Sequence, residues 1–271
     1  MYPTLFKIGN IALRTYGLFV ALGVLLAYNY VRYFGYKLKH IKQEFLSNFL
    51  FYTILIGFLG GRLFYVLFNF YYYKNNLIDI FKIWEGGLVF YGGFILGLIF
   101  GVFYVIINKQ NLFDIMDISS SGLYLGLSVG RIGCFFAGCC YGKPTESILG
   151  VVFSHPESLA PTGIKLFPTQ LFESFYSFLI FIFLHVLLQK QIFQKRLFFI
   201  GGIIYSIFRF LNEFLRGDDR GRFIYNLSPS QFISIVIFLL FLLLFFYITF
   251  KYKDGEDKIE SRKNCLSSKN R

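Results

Sequence analysis

The feature that most constrains this chain is the recurrence of apolar runs about as long as a bilayer is thick. A hydrocarbon core of about 30 Å needs roughly 20 mostly apolar residues per helical crossing. Such runs fall near 15–34, 45–68, 88–107, 112–130, 171–189, 197–215 and 230–250. Lipid offers an open backbone no hydrogen-bond partner, so runs of this kind cross as helices. With 56% hydrophobic and only 15% charged residues, the composition excludes an ordinary soluble domain. The expected fold is all-α: a polytopic membrane protein with about seven transmembrane helices, forming one catalytic domain over 1–250. The fourth run is the most polar, with Asp114, Asp117 and Ser119 to Ser121, and works as a span only if it faces other helices or a wet cavity.

Charge outside the runs sets the expected orientation. Arg32, Lys37, Lys39 and Lys42 follow the first run, Lys190, Lys195 and Arg196 follow the fifth, and Lys251, Lys253, Lys258, Arg262, Lys263, Lys269 and Arg271 lie in the tail. By the positive-inside rule these segments are cytoplasmic. An odd number of spans then leaves the N-terminus outside, where only Lys7 and Arg14 precede the first run, and puts the longer connections near 131–170 and 216–229 on the outer side. The formal net charge of +12 is explained by topology and by anionic lipid headgroups, without nucleic acid. The tail, 251–271, is polar, charged and without apolar periodicity, which predicts a disordered cytoplasmic end. No small-residue cleavage site follows the first run, so that run is read as mature structure.

Charged residues that persist inside apolar runs pair with one another or line a cavity. Arg62 lies in the second run, Arg131 ends the fourth, and Arg209, Glu213 and Arg216 follow one another at spacings of four and three, on one helix face. Arg209 and Glu213 are an i, i+4 pair able to neutralise each other, which leaves Arg216 for another partner. Glycines crowd the same places: Gly60 and Gly61 before Arg62, Gly86, Gly87, Gly92 and Gly93 around Tyr91, and Gly130, Gly133, Gly138 and Gly142 around Arg131. Glycine pairs are packing devices in membrane helices, but bare amides beside a guanidinium also make an anion site.

The run Gly130-Arg-Ile-Gly-Cys-Phe-Phe-Ala-Gly-Cys-Cys-Tyr-Gly142 closely resembles the signature of the prolipoprotein diacylglyceryl transferase family. Arg131 and Gly142 match its arginine and downstream glycine, whereas Cys134 stands where better-known members carry asparagine. Other matches follow in the family's order from about residue 11 to 245. These are Arg14-Thr15-Tyr16-Gly17, Gly61-Arg62, the tryptophan motif Trp84 to Gly93, Pro168-Thr169-Gln170-Leu171-Phe172-Glu173, and Arg209 to Arg216. Many members have histidine where this chain has Tyr91; its own histidines, His40, His155 and His185, lie in no family motif.

The resemblance implies a multi-pass enzyme of the bacterial cytoplasmic (inner) membrane. It would transfer the diacylglyceryl group of phosphatidylglycerol, a membrane lipid, to the lipobox cysteine of a prolipoprotein signal peptide, forming a thioether and releasing glycerol phosphate. It implies catalytic roles for Arg131, Arg216, Tyr16, Tyr91 and Glu213, and substrate contacts for Arg131, Gly142, Arg62, Gly86, Gly87, Gln170, Glu173 and Arg209. No metal or nucleotide cofactor is implied. Cationic donors suit a departing phosphate, and a positive site lowers the pKa of an incoming thiol.

Two other classes compete. Cys134, Cys139 and Cys140 suggest thiol-redox or metal chemistry, but they contain no C-x-x-C pair and no nearby histidine, and adjacent cysteines make a strained disulfide with each other. Intramembrane charge also suggests a transporter, against which stands the lack of an internal repeat. The charge pattern makes a direct prediction: reporter fusions after residue 251 read as cytoplasmic and fusions near residue 155 as extracytoplasmic. A cytoplasmic signal at 155 would overturn the orientation.

Overall fold

The computed structural model describes residues 2–8, 11–74, 77–82, 87, 89–218 and 227–269, with side-chain positions for all of these but residues 8, 11, 12, 90 and 252–269. The chain starts with a hairpin of β1 (Thr4–Ile8) and β2 (Ile11–Arg14), followed by α1 (Thr15–Lys39), α2 (Gln43–Phe68), the single turn α3 (Phe70–Tyr73) and a 3-10 turn at Leu77–Phe81. Next come α4 (Phe90–Ile107), α5 (Leu112–Ala137) and a loop carrying the two-residue strands β3 (Val151–Val152) and β4 (Lys165–Leu166). The chain closes with α6 (Thr169–Gln189), α7 (Leu197–Glu213) and α8 (Pro229–Lys269).

Among the described residues, the longer helices α1, α2, α4, α5, α6, α7 and α8 each overlap one of the apolar runs. Of these, α1, α2, α6 and the Pro229–Lys251 part of α8 are long and apolar enough to cross a membrane, while Tyr91–Ile107 of α4 is apolar but shorter. Their outward faces are apolar, as at Leu25, Phe103 and Leu243, which is the surface a lipid solvent requires. The chain is thus a multi-pass helical membrane protein. The all-α expectation omits two small antiparallel hairpins, β1–β2 and β3–β4. Backbone helix also continues to Lys269, where the tail was expected to be irregular. The segment beyond Lys251 is rich in lysine and arginine, has no proline and has one glycine, so it holds no strong breaker of a ladder already nucleated by the apolar part.

Two compact units can be described separately. One comprises residues 1–27 and 116–271, the other 28–115. In the first, α1 and α5 approach to backbone contact at Gly23 and Gly126, where a Cβ on Gly23 would stand 2.5 Å from the Gly126 carbonyl oxygen. Only small residues allow this approach. Asp117, fully buried on α5, accepts hydrogen bonds from the amides of Lys195 (2.5 Å), Leu197 (2.9 Å) and Phe198 (3.4 Å). The amides of Leu197 and Phe198 open α7, where helix geometry supplies no carbonyl for them, so a carboxylate borrowed from α5 caps it. The polarity that weakened the fourth run as a span therefore fixes a neighbouring helix.

The N-terminal hairpin is tied to the loop between α5 and α6. Thr4 Oγ1 and Lys7 Nζ both donate to Glu157, at 2.6 Å each, and Thr15 Oγ1 donates to the Tyr2 carbonyl. In the second unit α2 packs along α4, with Gly57 and Gly60 of one helix facing Gly93, Gly97 and Gly92 of the other. Lys39 meets Asp114 at 2.8 Å.

Replacing Asp117 by alanine takes the acceptor from three amides, that of Leu197 buried and those of Lys195 and Phe198 half-buried. The expected loss is about 2–3 kcal/mol, as for a buried hydrogen bond to a charged group, read as a lower unfolding midpoint in detergent. An unchanged midpoint would mean that water or another side chain caps α7 equally well.

Candidate active site

The site in the first unit grows from the end of α5. Past Ala137 the chain turns sharply, with Gly138 at φ +76° and Cys140 at φ +62°. It then runs as an extended stretch between two neighbours. The Gly142 amide donates to the Phe167 carbonyl (2.9 Å) and the Phe167 amide to Lys143 (3.1 Å), while the Lys143 amide donates to Leu215 (2.8 Å) and the Gly217 amide to Tyr141 (3.0 Å). Gly142 thus pairs with Arg216 across the gap. A Cβ on Gly142 would lie 2.5 Å from Phe167 Cβ and 2.8 Å from the Leu215 carbonyl oxygen. Glycine is required here because backbone occupies the space on both sides.

Arg131, on the last turns of α5, meets Glu173 of α6 at 2.8 Å, and Glu173 is 1% exposed. The same carboxylate oxygen accepts the Tyr205 hydroxyl of α7 at 2.7 Å. The other terminal nitrogen of Arg131 lies 3.9 Å from Cys134 Sγ and 3.8 Å from Cys140 Sγ. Its Nε is buried without an acceptor among the described residues. The Pro-Thr-Gln motif holds the turn itself: Gln170 Nε2 donates to the Cys139 carbonyl (2.7 Å) and Thr169 Oγ1 to the Cys140 carbonyl (2.6 Å). Asn212 of α7 in turn donates to the Thr169 carbonyl at 3.2 Å.

On the end of α7, Arg209 and Glu213 form the expected i, i+4 pair at 2.6 Å. Neither of those two atoms has a well-directed hydrogen bond, so the contact is one of charge. Glu213 also accepts from Ser228 Oγ (2.9 Å) and lies 3.8 Å from Arg216, while Arg209 donates to Ser230 Oγ (3.0 Å). Arg216 finds its separate partner in Asp218, through Nε at 2.8 Å and a terminal nitrogen at 2.5 Å. Burial opposes its charge, but the Asp218 carboxylate more than offsets this and holds its pKa above the ordinary arginine value. Cys140 lies within reach of both Arg216 and Arg131. Tyr16, at the start of α1, faces the same group, with its backbone against Gly133.

The first unit therefore gathers Tyr16, Arg131, Gly142, Gln170, Glu173, Arg209, Glu213 and Arg216. Arg62, Gly87 and Tyr91 belong to the second unit; Trp84, Glu85 and Gly86 of the tryptophan motif lie outside the described residues. Arg62 is buried, and its donors go to the carbonyls of Ile80 (2.8 Å), Asp79 (2.9 Å), Gly87 (3.2 Å) and Lys82 (3.2 Å). Tyr65 and Tyr73 flank its guanidinium. Tyr91, opening α4, is 58% exposed. Sequence reasoning missed Tyr205 and Asn212. Tyr205 stands one turn before Arg209, so the shared-face argument for Arg209, Glu213 and Arg216 would have reached it if carried back four residues.

A family model described as prolipoprotein diacylglyceryl transferase matches residues 3–247. The chain belongs to the prolipoprotein diacylglyceryl transferase family. A phosphatidylglycerol–prolipoprotein diacylglyceryl transferase of Clostridium tetani is 37% identical over 238 residues, covering 87% of this chain and 93% of the relative. A protein of Clostridium perfringens with the same description, numbered 2, is 36% identical over 85% of this chain and 89% of its own length. One from Staphylococcus haemolyticus is 30% identical over 93% and 89%. In the first unit of this member of the transferase family, Arg131, Arg209 and Arg216 are each anchored by a carboxylate.

Gly142→Ala is expected to lower the unfolding midpoint by the equivalent of about 1–3 kcal/mol, the usual cost of overpacking. Gly130→Ala, where a Cβ meets nothing within 4 Å, serves as its control and should leave the midpoint in place. Equal midpoints for the two variants would show that the crossing at Gly142 yields without cost.

Proposed function

We propose that this chain transfers the diacylglyceryl group of phosphatidylglycerol to the lipobox cysteine thiol of a prolipoprotein, the first step of lipoprotein maturation. The enzyme is a transferase. The observation that carries the reading is Arg131: anchored by Glu173 through one nitrogen, it keeps a buried Nε–H without an acceptor among the described residues. A donor of that kind is satisfied by an anionic oxygen, here one of the lipid phosphate.

In the proposed reaction the thiolate sulfur forms a bond to the terminal glycerol carbon of the diacylglyceryl group. The carbon–oxygen bond to phosphate breaks, and its electron pair leaves with glycerol phosphate. Arg131 and Arg216 stabilise charge on the departing phosphate. Glu173 holds Arg131, and Glu213, itself paired with Arg209, lies beside Arg216. Gln170 and Gly142 act by holding the turn that carries Cys139 to Lys143, so their contribution to substrate binding is placement of backbone. Tyr16 lines the acceptor side. Arg62 and Gly87 shape the segment before α4, with Gly86 assigned to the same segment, and Tyr91 positions substrate through its hydroxyl.

The topology proposed with this chemistry has seven spans, the N-terminus outside and the C-terminus in the cytoplasm of a bacterium. Three features support it: the charge asymmetry of the connections, the small residues that let α5 pack closely, and the capping of α7 by Asp117. The arginines then open on the outer face of the cytoplasmic membrane, where a lipid and a tethered signal peptide both arrive laterally.

Arg131→Lys and Arg216→Lys keep charge but lose the forked donor geometry. With purified protein in phosphatidylglycerol liposomes and a lipobox peptide, each is expected to lower transfer at least tenfold, Arg131→Lys more than Arg216→Lys. Near-native turnover in both would sink the assigned phosphate site.

A further inference from the structure

Two thiols, Cys134 and Cys140, lie against Arg131 with a third, Cys139, beside them, and the transfer reaction uses none of them. Cys134, Cys139 and Cys140 are all reduced, Cys134 buried and the other two half-buried. They interact with one another through their side chains, but their roles differ. The Cys139 thiol is aimed at the Cys134 carbonyl at 3.7 Å. Cys134 and Cys140 instead share one nitrogen of Arg131, at 3.9 and 3.8 Å. A bond between the adjacent Cys139 and Cys140 is strained, and the Cys139 thiol is turned to a backbone carbonyl, so the pair assigned to the disulfide is Cys134 and Cys140, which share one nitrogen of Arg131.

Resting on the transferase reading, we propose that Cys140 and Cys134 form a thiol–disulfide exchange centre that frees an acceptor cysteine arriving as a mixed disulfide with a small thiol. Only a thiol can accept the diacylglyceryl group, and on the oxidising outer side cysteine is readily capped. Cys140 attacks the acceptor's sulfur, forming a Cys140–acceptor disulfide and expelling the small thiol. Cys134 then attacks Cys140 Sγ, closes the Cys134–Cys140 bond and releases the acceptor as a thiol. Two electrons pass from the resident pair to the mixed disulfide, and the two thiol protons end on the acceptor and on the small thiol. A further dithiol reductant resets the pair.

The assignment of attacking and resolving sulfur follows access and charge. Cys140 is the more exposed of the two. Hydrogen bonding with Cys134 and Cys139, and then the charges of Arg216 and Arg131, push its thiol well below the ordinary value, and thiolate content and access set attack rates. Cys134 is buried behind it, where a resolving thiol is shielded from other disulfides.

The test uses the full-length protein with Cys265→Ser, so that the clustered cysteines are the only ones present. The probe is a lipobox peptide whose cysteine is capped with thionitrobenzoate. Release of thionitrobenzoate, a peptide bearing a thiol and a Cys134–Cys140 bond in the mass spectrum are expected. Adding Cys134→Ser should stop the reaction at a peptide linked to Cys140. Adding Cys140→Ser should slow release at least tenfold, and Cys139→Ser should still release the peptide thiol and form the Cys134–Cys140 bond. A wild-type rate with Cys140→Ser, full peptide release with Cys134→Ser, or Cys139 in the parent's disulfide would each overturn the proposal; the last needs no variant inside the cluster. A parallel arm offers the uncapped peptide with phosphatidylglycerol liposomes. Exchange without transfer there refutes only the transferase reading, and transfer without exchange refutes only this one.

Discussion

The polar interior of the first unit depends on the ion pair between Arg131 and Glu173. Glu173 is almost wholly buried, and a carboxylate there is tolerable only with a cation and a hydrogen-bond donor on it; Arg131 and the Tyr205 hydroxyl are those two partners. Removing one member of such a pair costs about 3–5 kcal/mol, because the other is left as an uncompensated charge. The pair, with Tyr205, therefore joins the end of α5 and the start of α6 to the middle of α7. It also sets the direction of the guanidinium, so that one edge is spent on Glu173 and the other faces the thiols.

The second arginine arrives by different means. Arg216 lies just past α7, and its position is set by backbone pairing with Gly142, whose amide and neighbours bond to Phe167 on one side and Leu215 on the other. Gly142 is thus a structural glycine with a chemical consequence, since the close crossing brings Arg216 within reach of Cys140. Two motifs far apart in the chain meet as one, with Arg216 joined to a turn that Thr169 and Gln170 hold by its carbonyls.

Arg62 shows a contrasting use of the same side chain. Its donors are taken up by four carbonyls of the segment after α3, and two tyrosine rings flank it. A guanidinium so employed organises a loop. A glycine followed by arginine reads alike at Gly61-Arg62 and Gly130-Arg131; what differs is whether neighbouring backbone or a neighbouring carboxylate takes the donors.

The apolar runs, the pairing of Arg209 with Glu213 and the weakness of the fourth run were legible in the sequence, because each rests on local periodicity or on the free energy of placing charge in lipid. The ordered motifs likewise marked the family. Which carboxylate holds Arg131, why Gly142 cannot carry a side chain and that Asp117 caps α7 are contacts between segments distant in the chain. No periodicity encodes them. They follow from how closely the helices approach, which the small residues at Gly23 and Gly126 permit, and from where buried donors then find acceptors. The sequence by itself determined a bundle of membrane helices with a few buried charges; packing decided which charges meet.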